Sequence, residues 1–290
     1  MQVHLVDGTY ELYRQHFGQA TRHSDPPPFA GTIGVLTSTI QLLQDGATHI
    51  GVATDHVIES FRNDLYDGYK TSEGMEPVLL EQIPILEDAL RAMGVTVWAM
   101  EKYEADDALA SAAAVACEDR TVHKVLILTP DKDLGQCVQG KRVVQFDRRN
   151  NIMIDEAAVV LKFGVGPSSI ADYLGLVGDS ADGFPGLQGW GAKSASTVLA
   201  KYQLIDNIPD DHNQWIADGV TVRSAEKLAT TLRDNRKDAA LFKQLATLIT
   251  DVPVGDVGDW LWRGPTDRFE SVANKLGAPQ LVERVARLKK

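Results

Sequence analysis

Residues 103–119 read YEADDALASAAAVACED, and this stretch indicates how the fold is built. Three acids, Glu104, Asp106 and Asp107, stand at its start, and a run of alanines and other small residues follows. The apolar segment Val95–Ala99 comes shortly before it. A short strand followed by a helix with a small-residue face is typical of a parallel sheet covered by crossover helices.

Outward from this unit, the first half of the chain alternates short apolar segments with longer helical stretches. Four further segments have the length and composition of strands: Val3–Val6, Ile50–Ala53, Val125–Leu128 and Val143–Phe146. The sequence therefore predicts an α/β fold with a central, mainly parallel sheet. A polar insert at about residues 58–84, before a helix from Ile85 to Met93, interrupts the pattern, and Asp25–Pro28 (DPPP) predicts a rigid turn.

Helical patterns replace strand patterns from about Ser168. The predicted helices are Ile170–Leu176, Ala192–Tyr202, Ser224–Asn235, Asp238–Thr247 and a basic-ended helix over Gln280–Lys289. We therefore predict two regions, a sheet-centred core at residues 1–165 and an α-helical region at residues 166–290.

Acids follow the predicted strands at the point where each strand ends. Asp7 follows the first strand, Asp55 the second, the trio of residues 104–107 the third, and Asp131 and Asp133 the fourth. The carboxyl ends of parallel strands meet at one edge of a sheet, where ligands bind. Carboxylates gathered there would repel each other unless hard divalent cations neutralised them. The sequence therefore predicts a metal site.

Within the trio, Glu104 and Asp107 are three residues apart and share a helix face, so we expect them, more than Asp106, to face an ion. Helix capping is the alternative use of these acids. Asp179 and Asp182 have the same spacing in a glycine-rich turn, GLVGDSADGFPG at residues 175–186.

The stretch PGLQGWGAKSASTVLAKY at residues 185–202 continues directly from that turn. Gly186, Gly189 and Gly191 precede a helix that carries Lys193. Glycines allow close backbone approach, and free amides at a helix start bind phosphate. The pattern predicts a helix-hairpin-helix that holds a DNA backbone without reading its bases. We expect Trp190 to be a packing residue.

Composition adds three expectations. The formal net charge is −11, so a polyanionic partner requires bound cations and grouped basic residues. The candidates for a basic stripe are Lys132, Arg148, Arg149, Lys162, Lys193, Lys201, Arg223 and Lys227. The start MQVHLVDG lacks a secretory pattern and no apolar run of about 18 residues occurs, which predicts a cytoplasmic protein outside the membrane. Cys117 and Cys137 are expected to be buried free thiols, with a disulfide as the alternative.

Five ordered segments resemble the bacterial 5' nuclease family, that is, the flap endonuclease and 5'-3' exonuclease proteins and the N-terminal nuclease domain of DNA polymerase I. They are LVDGTYELYR (5–14), SFRNDLYDGYK (60–70), YEADDALAS (103–111), ILTPDKDL (127–134) and LVGDSADGFPGLQGWGAKSA (176–195). The resemblance is to the free-standing members. It implies a PIN-like nuclease core, a helical arch insert over the active site and a helix-three-turn-helix lobe.

The resemblance also implies roles for individual residues. The metal-binding acids would be Asp7, Asp55, Glu104, Asp106, Asp107, Asp131 and Asp133, with Asp179 and Asp182 completing the second metal site. Arg62, Tyr69 and Lys70 match catalytic positions of the arch, and the hairpin residues Gly186, Gly189, Gly191 and Lys193 match the duplex grip, where the family also binds K⁺. Glu73 departs from the family's basic arch and predicts weaker attraction of a single strand.

The resulting expectation is a structure-specific 5' nuclease that uses two or more Mg²⁺ or Mn²⁺ ions. Lys70 and Arg62 would neutralise charge on the phosphate. The expected substrates are DNA with 5' flaps or 5' ends and an RNA primer in an RNA–DNA hybrid, and we expect a monomer that acts at the bacterial nucleoid. Three alternatives stay open: a PIN-type ribonuclease, a catalytically weak protein that binds branched DNA, and a Mg²⁺ phosphatase, which leaves the hairpin unexplained.

Overall fold

Six strands form one sheet in the computed structural model, which describes residues 1–20 and 28–289. They are β1 (Gln2–Asp7), β2 (His49–Asp55), β3 (Thr96–Met100), β4 (Lys124–Leu128), β5 (Val143–Asp147) and β6 (Ile152–Ile154). The order across the sheet is β3-β2-β1-β4-β5-β6, and the first five strands in sequence are parallel. The five predicted strands are thus confirmed. The predicted turn at Asp25–Pro28 lies outside the described residues except for Pro28.

The short strand β6 was not predicted, and it pairs antiparallel with β5. The chain reverses before it at Asn151, which has a positive φ of 54°. Asparagine tolerates this left-handed conformation better than most residues. A three-residue strand is too short to show a periodicity, so the sequence offers only the Asn-Asn turn as a signal.

The chain changes direction across the sheet between β1 and β4. From β1 it proceeds to β2 and β3 on one side, and from β4 to β5 and β6 on the other. In open parallel sheets this switch point forms a crevice beyond the carboxyl ends of the strands. The ends of β1 and β4 therefore mark the place where a ligand site is expected.

Helices cover both faces of the sheet, as parallel sheets require. One face is covered by α1 (Gly8–Ala20), α2 (Ala30–Gln44) and α4 (Pro77–Ala92), and the other by α5 (Ala105–Glu118). The small residues of α5 explain its close packing, since Ala105, Ala108 and Ala112 are at most 3% exposed.

The insert between β2 and α4 has one short helix, α3 (Phe61–Leu65), followed by turns. The predicted helix start at Ile85 was wrong, because α4 already begins at Pro77 and contains Pro84. Proline is well tolerated at Pro77, in the first turn, while Pro84 costs a backbone hydrogen bond. Burial of an apolar stripe that includes Leu79, Ile83 and Leu86 offsets that cost.

The first six helices after the sheet pack together: α6 (Glu156–Phe163), α7 (Ile170–Val177), α8 (Ala192–Tyr202), α9 (His212–Ala217), α10 (Ala225–Asp234) and α11 (Arg236–Ala246). They enclose a separate hydrophobic core that includes Leu174, Val198, Trp215, Leu232 and Phe242. This is the helical lobe, and it confirms the predicted change from strands to helices.

Residues 247–289 leave the lobe and return to the sheet core. Trp260 packs edge-on against Trp98 at a ring distance of 5.4 Å. Helices α12 (Phe269–Lys275) and α13 (Gln280–Ala286) share the hydrophobic core of α2 and α4. The region predicted at 166–290 therefore divides into the lobe and a C-terminal segment that belongs with the core.

None of the helices within residues 1–20 and 28–289 has the length and apolar character needed to span a membrane. Cys117 and Cys137 are both free thiols, as predicted, but each is partly exposed and not buried as expected.

Candidate metal centre

Seven of the predicted acids lie at the carboxyl edge of the sheet. Asp7 and Asp55 are the last residues of β1 and β2, Glu104 precedes α5, and Asp106 and Asp107 lie in its first turn. Asp131 follows β4, and Asp133 is the first residue of a short 3₁₀ helix (Asp133–Cys137). The acids thus surround the switch point between β1 and β4.

Asp7 is buried at the end of β1. Its carboxylate accepts hydrogen bonds from the Tyr10 amide at 2.8 Å and from Thr129 Oγ1 at 2.9 Å. Burial raises its pKa to about 7, and the charges of Asp55 and Asp131 act in the same direction. These carboxylates therefore disfavour each other's ionisation, which a divalent cation would reverse.

Asp106 shows the same effect more strongly. Its carboxyl group is partly buried, and loss of water contact raises its pKa well above the ordinary value; the charges of Asp131 and Asp7 act in the same direction. Asp55 is held from the side of α5, where the Ala105 amide donates to its Oδ1 at 2.8 Å. Burial also raises the pKa of Asp55.

The helical lobe contributes the remaining two acids. Asp179 and Asp182 lie in the loop between α7 and α8, and their carboxylate oxygens lie within 4.8 Å of one another and of an oxygen of Asp133. Asp133 Oδ1 is buried and accepts no hydrogen bond from the described residues. Three carboxylates at this separation, one with a buried oxygen that accepts no hydrogen bond from the described part of the chain, match the oxygen ligands that Mg²⁺ or Mn²⁺ prefers.

Lys70 connects the insert to both groups of acids. Its Nζ lies 2.7 Å from Glu104 Oε2 and 2.9 Å from Asp182 Oδ1. Its backbone amide also donates to the Asp182 carbonyl at 3.0 Å. The negative charges of Glu104 and Asp182 outweigh burial and raise the pKa of Lys70, so the side chain stays protonated.

The insert and the lobe loop approach so closely at Gly183 that a side chain there would not fit. Gly183 has φ +87°, and an added Cβ would lie 2.2 Å from the Gly68 carbonyl oxygen. Glycine is the residue that accepts both conditions.

Arg62 does not occupy the position that the sequence predicted. It was expected to contact a phosphate, but it is 2% exposed. All five of its N–H groups are used: Nε donates to the Leu245 carbonyl, Nη1 to Glu104 and Asp107, and Nη2 to Asp107 and the Thr247 carbonyl. A guanidinium has five donors, so none remains for a substrate. Arg62 joins the insert, α5 and the end of α11.

Asp107 was expected, more than Asp106, to face an ion, but the structure surrounds its carboxylate with hydrogen-bond donors. Asp107 is fully buried, and its two oxygens accept two bonds from Arg62, one from the Glu104 amide and one from the Ile249 amide. The bond to the Glu104 amide is a helix-capping contact, which was the alternative considered for this motif. Asp106, not Asp107, lies among the other acids.

Tyr69 and Glu104 support the centre from the side of the insert. Tyr69 is buried, and its hydroxyl donates to Glu104 Oε2 at 3.3 Å. Burial raises the pKa of Tyr69, so the phenol is neutral. Glu104 also accepts from Ser60 Oγ at 2.8 Å. Burial opposes its ionisation, but Lys70 and Arg62 hold its pKa below the ordinary value.

The sequence did not single out Thr129, and it did not place Lys132 at this site. Thr129 Oγ1 donates to Asp7 and accepts from the Asp131 amide. The Lys132 ammonium contacts Asp179 and lies 3.6 Å from Asp133 Oδ1. Both residues belong to the TPDKD segment directly after β4, and that position was the available signal.

The glycine-rich hairpin lies in the lobe at the start of α8. Gly186 and Gly189 have positive φ, and Gly191 is the N-cap of α8. A groove of about 890 Å³ runs beside it, lined by the basic residues Lys193, Arg223 and Lys227 and by hydroxyl side chains.

The structure shows the surroundings of Trp190 in the hairpin and of Arg148 in the predicted basic stripe. Trp190 is 6% exposed and packs against Trp215, which confirms the packing role. The guanidinium of Arg148 donates to Ser38, so this member of the predicted stripe lies apart from the groove.

Family models match most of the chain. The model described as "5'-3' exonuclease, N-terminal resolvase-like domain" matches residues 2–164, and "5'-3' exonuclease, C-terminal SAM fold" matches residues 165–268.

Curated relatives fall into two kinds. DNA polymerase I of Bacillus caldotenax is 30% identical over 97% of this chain, and that of Pseudomonas aeruginosa is 33% identical over 93%. The chain spans 32% and 29% of these two relatives, which is about a third of their length. A protein named "5'-3' exonuclease" from Aquifex aeolicus is 29% identical, with 87% of this chain and 83% of that protein covered.

Solved structures share the fold. T5 5'-exonuclease with bound zinc has a TM-score of 0.68 at 17% identity, and the match covers 99% of this chain and 98% of that one. The catalytic core of Rad2 in complex with DNA substrate has a TM-score of 0.62 at 17% identity, covering 100% and 92%. The fold of a mainly parallel sheet with a C-terminal helical lobe is therefore shared with both.

Proposed function

The chain belongs to the 5'-3' exonuclease family, and from this membership we propose that it is a metal-dependent 5' nuclease. Its reaction would be hydrolysis of DNA phosphodiesters at 5' flaps and 5' ends, as required in primer removal and DNA repair. The observation that carries the proposal is the meeting of Asp133, from the core, with Asp179 and Asp182, from the lobe.

Two groups of acids would hold the ions. Asp7, Asp55, Asp106 and Asp131 form the group around the switch point, and Asp133, Asp179 and Asp182 form the second group. Mg²⁺ or Mn²⁺ held there would activate a water molecule and stabilise the attacking and leaving oxygens of the phosphodiester. The raised pKa values of Asp7 and Asp106 support this assignment, because such carboxylates gain most from a cation.

Lys70 is the cation that we assign to the substrate phosphate. An ammonium has three N–H donors, and Lys70 directs two of them at Glu104 and Asp182. Its side chain is 35% exposed, so the third donor can reach a phosphate oxygen at the open side of the site. Tyr69 would act by orienting Glu104, which in turn holds Lys70.

The lobe would hold the duplex part of the substrate. Lys193 at the start of α8, together with Arg223 and Lys227, offers positive charge in the groove beside the hairpin. Contacts of this kind bind the DNA backbone without reading sequence. We propose the turn around Gly189 and Gly191 as a K⁺ site.

Further proposals concern the setting. We propose that the protein acts as a monomer at the bacterial nucleoid in the cytoplasm, and that it also accepts an RNA primer in an RNA–DNA hybrid. Glu73 is exposed in the insert, and an acid there supports a weaker hold on a threaded single strand than a basic residue would give.

The test is cleavage of a labelled 5'-flap duplex with Mg²⁺ or Mn²⁺, with a double Asp131→Asn and Asp133→Asn variant as the control. Wild type is expected to cut near the junction, and the double variant should fold normally but lose cleavage. A wild type that cuts no DNA with either metal would refute the proposal. Binding of branched DNA in EDTA without cleavage in Mg²⁺ would indicate the binding protein instead, and preference for a matched RNA flap would indicate a ribonuclease.

A further inference from the structure

Helix α4 carries a buried carboxylate, Glu87, outside the two groups of acids. Glu87 is 2% exposed, and Leu86 and Leu90 beside it on the helix are fully buried. Burying a carboxylate is costly unless hydrogen bonds compensate it. An apolar residue would suit this position better, so the partners of Glu87 must explain its presence.

The partners of Glu87 are the two residues on either side of Asp55. Thr54 Oγ1 donates to Glu87 Oε1 at 2.7 Å, and His56 Nδ1 donates to Oε2 at 2.9 Å. Arg91 Nη1 lies 3.7 Å from the same Oε2. The carboxylate therefore holds the end of β2 at two points.

These two contacts fix the direction of Asp55. Successive side chains of a strand point to opposite faces, so an anchored Thr54 turns Asp55 away from α4. On that opposite side the Ala105 amide donates to Asp55 Oδ1, at the edge where the other acids lie. Asp55 is thus held between α4 and α5.

We propose that Glu87 is a positioning residue for the metal centre, acting through Thr54 and His56 to aim Asp55 at a bound divalent cation. The proposal rests on the proposed function, because it requires Asp55 to be a metal ligand. Residues that orient metal ligands typically change metal affinity by 10–100-fold when removed. The insert also returns to the core through α4, so the same helix connects the insert to Asp55.

The experiment measures metal binding directly. Mn²⁺ is titrated into the full chain without DNA, and free Mn²⁺ is followed by electron paramagnetic resonance. Glu87→Leu fills the same space without an acceptor, and we expect it to weaken Mn²⁺ binding about tenfold. Glu87→Gln keeps an oxygen that can accept from Thr54, and it should recover most of the affinity.

Two controls on α4 separate positioning from general destabilisation. Leu90→Ala removes core packing and should lower the melting temperature with Mn²⁺ affinity within twofold of wild type. Asp88 also lies on α4, where it forms an ion pair with Arg268 at the start of α12. Asp88→Asn breaks this pair and should leave Mn²⁺ affinity unchanged.

The proposal would be overturned if Glu87→Leu bound Mn²⁺ as tightly as wild type. It would also be overturned if Leu90→Ala lost as much Mn²⁺ affinity as Glu87→Leu. If Glu87→Leu does not fold, Thr54→Val removes one of the two contacts and is judged by the same criterion. The binding assay also separates this proposal from the proposed function. A wild type that binds Mn²⁺ but cuts no DNA refutes the nuclease and leaves the role of Glu87 intact.

Discussion

Replacing Arg62 by Met is expected to destabilise the protein, with no direct effect on the chemistry. Arg62 is 2% exposed and pairs with Asp107, which is fully buried, and with Glu104. Removing one partner of a buried pair leaves an uncompensated charge, at a cost of about 3–5 kcal/mol. Folded domains are stabilised by only about 5–15 kcal/mol, so the variant should fold with a small remaining margin.

Urea unfolding followed by tryptophan fluorescence measures that loss, and flap cleavage in low urea measures activity. The double variant Arg62→Met with Asp107→Leu replaces both charges by apolar groups and should regain much of the stability, because such replacements are often neutral. Both the single and the double variant should cut the flap substrate at urea concentrations at which they are folded. Arg149→Met, at an exposed arginine, is the matched control and should change stability by less than about 0.5 kcal/mol. If Arg62→Met unfolds at the wild-type urea concentration but does not cut DNA, Arg62 acts on the phosphate and the reasoning fails.

Three further predictions test the centre and the lobe. Asp106→Asn should weaken Mn²⁺ binding at least about tenfold without loss of stability, whereas Asp107→Asn should lower the free energy of unfolding by about 2 kcal/mol; calorimetry and urea unfolding distinguish them. In EDTA, the free energy of unfolding should fall as pH rises from about 4 to 7, by at most roughly 4 kcal/mol. The cause is Asp7, whose pKa is about 7 in the folded protein against 3.8 when unfolded, so that only the folded state keeps the proton in this range. Urea unfolding at a series of pH values measures the decrease, and Mg²⁺ should abolish it. Lys193→Ala should weaken duplex binding and reduce the slope of log binding constant against log salt concentration by about one. An unchanged slope in filter-binding measurements would place Lys193 away from the DNA.

Much of the fold was predictable because its signals are local. The five parallel strands are short apolar segments, and the lobe helices have clear apolar periodicity. The errors arose where a local rule competed with tertiary packing. The helix was predicted to begin at Ile85, directly after Pro84, but burial of the apolar face of α4 keeps the chain helical through that proline. The C-terminal segment has helical patterns like those of the lobe, and only its packing against α2 and α4 assigns it to the core.

The candidate site divides in the same way. Topology alone gathers acids at one edge, since parallel strands end on the same side of a sheet. Which oxygen of an acid stays free depends on donors from distant parts of the chain. For Asp107 these donors are Arg62 and the Ile249 amide, 45 and 142 residues away. Spacing within a helix cannot reveal them.

Strand length, helix periodicity and the position of acids after strands are local properties, so the sequence alone predicts a parallel α/β sheet with acids at its carboxyl edge. Tertiary packing establishes which of those acids have free oxygens. It buried Arg62 against Asp107, left Asp106 among the other acids, and brought Asp179 and Asp182 from the lobe to Asp133. The physical reason is that hydrogen-bond donors and charges act over distances in space, and contacts between residues far apart in the chain form only in the folded protein.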